Sequence, residues 1–291
     1  YYPEVYRVVS ENFQKPVVNT DQRLNLKYCL NRYDAVKLNV WVHIITRNFN
    51  KLFPLPGLSL SFMPGNSSKA DLKKWKWLNV YAGLARNMRM PTMNDLYWAP
   101  GGNPDLKPED AWMADMTLDL RNDGFSFRLH KWASAEQFSW NIKVSPFYSR
   151  TKELIRWTPD SSGSQWHASN VAESRQYGVE GVASCSFEWQ KNKIIGSMNA
   201  TRVFAQDLTS DKISTLMYVP DITMNSSVSL EHGIWSGGYE FHYTGKRFSS
   251  SDNDRYMPEI FLHDVFFSVV KKIKTNQLTL SVRLNNIMNA D

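Results

Sequence analysis

Arg89 to Glu109 reads RMPTMNDLYWAPGGNPDLKPE, and it separates two segments in which polar and apolar residues alternate. Pro91, Pro100, Pro104 and Pro108 interrupt any regular ladder there, and Gly101-Gly102-Asn103 supplies positions that tolerate positive φ. A long, turn-rich insert between alternating segments is the pattern of a surface loop on a β-barrel, with Asp95, Tyr97 and Trp98 expected to lie exposed on it.

Outward from that loop the alternation continues. Leu278, Leu280, Val282 and Leu284 alternate with Thr279, Ser281, Arg283 and Asn285. Tyr239, Phe241 and Tyr243 alternate with Glu240, His242 and Thr244, and Ile222 to Glu231 repeats the pattern. Rougher versions run through Arg23 to Asn31, Lys37 to Ile44, Leu58 to Phe62, Leu78 to Ala85 and Trp140 to Ser149. Period 2 means strands with two chemically different faces. A soluble sandwich would show it too. Length decides between them, because Ser139 to Trp157 and Gly178 to Trp189 far exceed the roughly 5 or 6 residues usual for a soluble strand.

About twelve such segments are expected, joined alternately by short turns and longer loops. The short turns fall near Arg32 to Ala35, Met63 to Lys74, Gln190 to Lys193, Glu231 to Ile234 and Lys271 to Asn276. The long loops fall at Phe49 to Pro56, Met88 to Pro108, Thr158 to His167, Asp207 to Leu216 and Phe248 to Pro258. Arg121 to Phe138 carries two signals, a turn at Asn122-Asp123-Gly124 and further strand at Phe125 to Lys131, and is read as a periplasmic hairpin. The short set is expected to face the periplasm and the long set the outside.

Composition permits this fold without selecting it. The chain has 291 residues, 42% of them hydrophobic and 13% aromatic. No apolar run approaches the roughly 18 to 20 residues of a spanning helix. A net charge of +6 and a pI of about 9.1 raise nucleic-acid binding, but the lysines and arginines are scattered. Lys69 to Trp77, KADLKKWKW, reads instead as a solvated turn with two interfacial tryptophans, and Lys271-Lys272-Ile273-Lys274 as a solvated turn. Cys29 and Cys185 make no disulfide framework or cysteine-rich metal site.

Enzymatic readings find little support. His43, His130, His167, His232, His242 and His263 have no close metal spacing, and neither a G-x-S-x-G elbow nor a Gly-rich phosphate loop occurs. Asp207, Asp211, Asp252 and Asp254 are candidate calcium ligands, but their spacing matches no calcium loop and solvated loop acids are the simpler reading. Asn66-Ser67-Ser68 and Asn225-Ser226-Ser227 have the form of sequons and carry no argument.

The loop matches the "R-x-P-x-x-x-D-L-Y" and "G-N-P-D-L-K-P-E" signature of TonB-dependent outer-membrane receptors and so resembles that family. Further segments resemble it in the family's order: IKVSPFYSRTKELIR at Ile142 to Arg156, NVAESRQYGVEG at Asn170 to Gly181, YEFHYTGKRF at Tyr239 to Phe248, and Leu278 to Asp291 with Asn286-Ile287-Met288-Asn289. The likeness covers residues 57 to 291 and is greatest to the cobalamin (vitamin B12) transporter branch.

The resemblance implies an all-β, antiparallel transmembrane β-barrel, with residues 1–291 a single region giving roughly 12 of about 22 strands. Relative to the family, the plug domain, the TonB box, the early strands and the last strand are expected to be missing, as from a processed or excised piece. Tyr1-Tyr2-Pro3 shows no start methionine or targeting segment. Such a piece would leave two strand edges unpaired in lipid and is not expected to insert alone.

The function implied is uptake of a bulky, scarce nutrient in the outer membrane of a Gram-negative bacterium. Cobalamin or a related corrinoid leads; a ferric siderophore, haem, an oligosaccharide, or a non-transport surface scaffold with a lipoprotein partner are the alternatives. The implied partners are TonB, ExbB and ExbD, acting through the plug, together with outer-membrane lipid and no nucleic acid. No cofactor is implied. Candidate ligand contacts are Asn94, Asp95, Tyr97, Trp98, Asn103, Trp157 and Trp166, the aromatics because they can stack on a large conjugated ring. These rings suit an outer aromatic girdle as well. Glu180, Arg202, Glu240, His242 and Arg283 are expected to face the lumen, where barrels pair charges across strands.

Overall fold

A computed structural model describes residues 5–7, 22–32, 35–47, 51–127, 136–160, 163–209, 213–250, 252–273 and 276–288. In chain order the strands are β1 Val5–Arg7, β2 Gln22–Arg32, β3 Val36–Arg47, β4 Lys51–Phe62, β5 Leu78–Arg89, β6 Glu109–Phe127, β7 Glu136–Pro159 and β8 Trp166–Trp189. They continue as β9 Asn192–Asp207, β10 Ser214–Thr215, β11 Ile222–His232, β12 Trp235–Thr244, β13 Arg247–Phe248, β14 Tyr256–Met257, β15 Ile260–Ile273 and β16 Asn276–Leu284. One sheet takes them in the order β1 through β9, then β11, β12, β15 and β16. The described strand pairs are antiparallel meanders, with β10 beside β9 and β13 paired to β14 separately. Helical turns are few: Pro64–Asn66 (3-10), α1 Ala70–Lys73 and α2 Met93–Tyr97.

The chain divides into two compact units. The first comprises Tyr1–Met116, Phe147–Gln176 and Asp207–Ile213; the second comprises Thr117–Pro146, Tyr177–Gln206 and Ser214–Asp291. The same two-faced sheet is found in each. In the first unit, Val40, Leu58 and Leu84 form one cross-strand row, while Asn39, Ser59 and Gly83 form the next. In the second, Gly196, Val228, Tyr239, Val265 and Leu284 form one row, while Ser197, Ser227, Glu240 and Asp264 form its neighbour. Successive rows point to opposite faces.

The apolar face is left open. Leu58, Leu60, Val228, Leu230, Phe267 and Leu280 are exposed, Leu280 by 68%, which inverts the usual burial of such side chains. Aromatic pairs bound this face in the second unit. Trp235 and Phe267 lie 5.5 Å apart at one end of β12, and Tyr243 and Phe261 lie 5.0 Å apart at the other. The eight steps from Trp235 to Tyr243 span ~27 Å along a strand, which at the tilt of about 35–45° usual in outer-membrane barrels rises roughly 19–22 Å, most of the ~25 Å apolar band between their aromatic girdles.

Four expectations need correction. Phe49 to Pro56 is not a loop from Lys51 onward, because β4 pairs with β3 through both prolines, Pro54 opposite Ile44 and Pro56 opposite Val42. Pairing of β4 with β5 covers only Gly57 to Phe62, so the prolines lie where one strand edge is unpartnered and a missing N–H costs nothing. The loop expected at Thr158 to His167 is shorter, since β7 runs to Pro159 and β8 begins at Trp166. The loop expected at Phe248 to Pro258 contains the β13–β14 hairpin. Asn122-Asp123-Gly124 is not a turn, because β6 continues through it as strand to Phe127. Residues 33–34 of the turn at Arg32 to Ala35 and residues 128–135 lie outside the described residues, as do Asp211 and His130.

Candidate ligand-capture surface

The loop after β5 folds around its own aspartate. Thr92 caps α2: the Asp95 N–H donates to Thr92 Oγ1 at 3.2 Å, and the Thr92 N–H and hydroxyl donate to Asp95 Oδ2 at 2.9 and 2.8 Å. This is a capping box with aspartate as its acid. The other carboxylate oxygen accepts the Trp157 indole N–H at 3.0 Å, and Arg89 lies 3.5 Å away. Burial alone would raise the Asp95 pKa. The Thr92 N–H, the Trp157 indole, the Thr92 hydroxyl and the Arg89 charge outweigh it and hold the carboxyl below its ordinary value.

A second carboxylate completes the anchor. Glu109 Oε1 accepts from Arg89 at 2.7 Å and from the buried Ile155 N–H at 2.8 Å. Leu96, Leu106, Ile155 and Ala168 form a small core, with Trp157 packed against it. The chain passes so close to β8 that a Cβ on Gly101 would fall 1.7 Å from the Trp166 carbonyl oxygen. Two residues on, the Ala168 N–H donates back to Gly101 O at 2.8 Å. Asn170 fastens the loop's exit, accepting from the Lys107 N–H at 2.9 Å and donating to the Lys107 carbonyl at 3.0 Å.

The candidate ligand contacts therefore separate. Asp95 is buried, contrary to the expectation of an exposed loop acid, because its hydrogen bonds close the cap. Trp157 is the anchor's partner, and Asn103 is a turn residue whose side chain accepts the Asp105 N–H at 3.0 Å. Asn94, Tyr97, Trp98 and Trp166 remain exposed, Tyr97 by 63% and Trp98 by 59%. Met93, which sequence reasoning did not single out, is 59% exposed beside them on α2. Its neighbourhood to a cap at Thr92 was the available signal.

The polar face of the second unit holds most of the charged group expected together. Arg283 bonds Glu240 and lies 3.0 Å from Asp264. His242 Nδ1 is 2.7 Å from Asn225 Oδ1, and its Nε2 is 3.8 Å from Glu240 and 3.9 Å from Asp264. Glu240, His242 and Asp264 offer ligand atoms within 4.8 Å of one another, a juxtaposition invisible in spacing because Asp264 belongs to the next strand. Arg283 already supplies the positive charge there, so the arrangement is a cross-strand ion network. Glu180 falls on the same polar face, three residues from Tyr177, whose ring stacks on Phe204 across the other face.

Arg202 departs from that group. It pairs opposite Ile222, in the parity of Met224 and Val228, and so stands on the apolar face instead of the lumen-type face expected. It lies near the strand end, 3.6 Å from Asp221 and 5.0 Å over the Phe204 ring, so a long side chain carries its charge toward the polar boundary. Of the calcium candidates, Asp207 is buried and paired with Arg156 at 2.9 Å, while Asp252 and Asp254 are exposed loop acids.

A meandering antiparallel sheet with an open apolar face, a polar opposite face and an anchored long loop is the build of strands that wall a membrane β-barrel. Residues 32–287 match the family described as TonB dependent receptor-like, beta-barrel, and the chain belongs to that family. Members are receptors and transporters of the Gram-negative outer membrane that work with the TonB energy-transducing system. The chain is 24% identical over 217 residues to the vitamin B12 transporter BtuB of Photobacterium profundum, covering 74% of this chain and 32% of that protein. It is 27% identical over 104 residues to the vitamin B12 transporter BtuB of Vibrio vulnificus, covering 36% of this chain and 14% of that protein. It thus spans about a third or less of the curated relatives it matches. The copper transporter OprC superposes over 92% of this chain and 42% of its own, with a TM-score of 0.66 at 15% identity; this likeness concerns the fold alone.

Proposed function

We propose that the protein to which this chain belongs is an outer-membrane transporter that captures cobalamin or a related corrinoid. The observation that carries the reading is the exposure of Met93, Tyr97 and Trp98 on a loop held by its own anchor, with Trp166 exposed at the start of β8, against which that loop packs at Gly101. A large, flat conjugated ligand gains most from aromatic contacts whose entropy is already spent. The two curated relatives named as vitamin B12 transporters support the same choice.

In this reading the long loops face the outside of a Gram-negative cell and the short turns face the periplasm. Glu180, Glu240, His242 and Arg283 line the barrel's polar interior. TonB, with ExbB and ExbD, supplies the energy for release inward, and the barrel itself performs no covalent chemistry.

Calorimetry of the complete protein in detergent tests this, with cyanocobalamin, a ferric siderophore and haem titrated in parallel. Selective corrinoid binding is expected, and binding of a comparator alone would move the substrate to that class. Trp98→Ala should weaken binding by about 0.5–1.5 kcal/mol, roughly 2- to 13-fold in Kd, at unchanged yield of folded protein. An unchanged Kd would remove Trp98 from the site.

A further inference from the structure

The turn between β4 and β5 is at the opposite end of β5 from the long loop, and it combines lysines with two tryptophans. Between Met63 and Leu78 it places Lys69, Lys73, Lys74 and Lys76 on the surface against a single acid, Asp71, which pairs with Lys74 at 3.3 Å. Trp75 and Trp77 stand among these lysines, 50% and 41% exposed, with ring centroids 5.5 Å apart.

The turn is ordered. The Met63 N–H donates to Ala35 O at 2.6 Å, the Trp75 N–H to Leu72 O at 3.0 Å, the Lys76 N–H to Lys73 O at 3.2 Å and the Leu78 N–H to Trp75 O at 2.9 Å. A Cβ on Gly65 would fall 3.4 Å from Lys76 Cβ, so the stem of Lys76 runs against the turn's own backbone. Two indoles held open to water are unfavourable. At the headgroup level of a bilayer they are favourable, because the ring is half apolar and its N–H meets polar headgroups. The strands that flank the turn carry Leu58, Leu60 and Leu84 exposed on the apolar face, so the turn sits where lipid-facing strands end.

We propose that the Lys69–Trp77 turn is a binding site for anionic glycerophospholipid, the lysine ammonium groups engaging the headgroup phosphates and Trp75 and Trp77 lodging at the glycerol level. The inference rests on the orientation given above, which puts this turn at the periplasmic leaflet. Charge complementarity selects the lipid: a zwitterionic headgroup offers the phosphate but cancels it with its own cation, whereas an anionic one does not.

The complete protein, reconstituted in phosphatidylcholine vesicles doped with brominated phosphatidylglycerol or brominated phosphatidylcholine, gives the test. Bromine quenches only nearby indoles, and the quenching lost in W75F/W77F belongs to this turn. That component is expected to report enrichment of phosphatidylglycerol over phosphatidylcholine by at least about fivefold, and K73Q/K74Q/K76Q should abolish the preference with β-sheet circular dichroism retained. Single K73Q and K76Q variants, each expected to reduce the preference, serve if the triple variant does not fold. Equal quenching by the two lipids, or a preference that survives lysine removal, overturns anionic selection alone. No quenching by either overturns the membrane placement of the turn as well, and neither result touches corrinoid binding at the other end.

Discussion

The Asp95 carboxylate accepts from the Thr92 N–H, the Thr92 hydroxyl and the Trp157 indole, and its chemistry sets how the long loop responds to substitution and acid. Asp95→Ala would leave the Thr92 N–H and the Trp157 indole without their acceptor, at a cost of about 1–3 kcal/mol. The loss should be local: faster amide exchange and proteolysis across residues 92–106, with the strands unaffected. A variant whose loop remains as protected as the native one would show that the small core of Leu96, Leu106 and Ile155 suffices. The pH response has a definite sign. Because the folded pKa lies below the ordinary value of about 3.9, the carboxylate's contribution is fully present above that value and is lost only as pH falls through the lower folded value. Loop protection should therefore persist at pH 5 and fail only in stronger acid; loss between pH 7 and 5 would contradict the assignment. Some of this was readable from the residues alone, since Thr92-x-x-Asp95 is a local cap signal. Trp157 and Asp95 are 62 positions apart, and no local pattern announces that an indole so distant would meet a loop carboxylate.

At the scale of elements, alternation marked nine of the longer strands because two-faced burial imposes period 2 whichever side is wet, and left β6, β9 and β15 to be inferred from the turns between them. Boundaries were less legible. Pro54 and Pro56 read as a loop, since nothing local says that a strand may have a partner on one edge only. Arg202 was misassigned for a related reason: a charge in an alternating run is naturally counted with the polar face, and only register against Ile222 places it with the apolar one. The two faces make opposite predictions for one substitution. Val228 pairs with Tyr239, midway between the aromatic pairs of β12, so Val228→Arg should cost about 2–4 kcal/mol. Ser229→Arg, one residue on and facing the polar side, should change stability by no more than about 0.5 kcal/mol. Urea unfolding in lipid vesicles measures both, and equal costs would refute the assignment of faces.

Over the whole molecule, the placement of apolar surface is the inverse of a water-soluble protein's. The exposed apolar side chains are satisfied only by an amphiphile, so the complete protein diluted below the critical micelle concentration should sediment as aggregate. A monodisperse species there would rule out a lipid-facing role for Leu58, Val228 and Leu280. The net charge of +6, which invites thoughts of nucleic acid, finds part of its place in the turn at Lys69 to Trp77. Substrate identity was the least legible property of all, because strand alternation encodes a wall and a solvent, whereas a ligand is met by a handful of loop side chains that no periodicity constrains. The anchor of the long loop bears on this as well. Its holding residues, Arg89, Thr92, Asp95, Glu109 and Trp157, are distinct from those it displays, Met93, Asn94, Tyr97, Trp98 and Trp166. If the displayed side chains choose the cargo as proposed, fold and taste are separately heritable: a directed library confined to those positions would change what is captured while the mount that carries them stays unchanged.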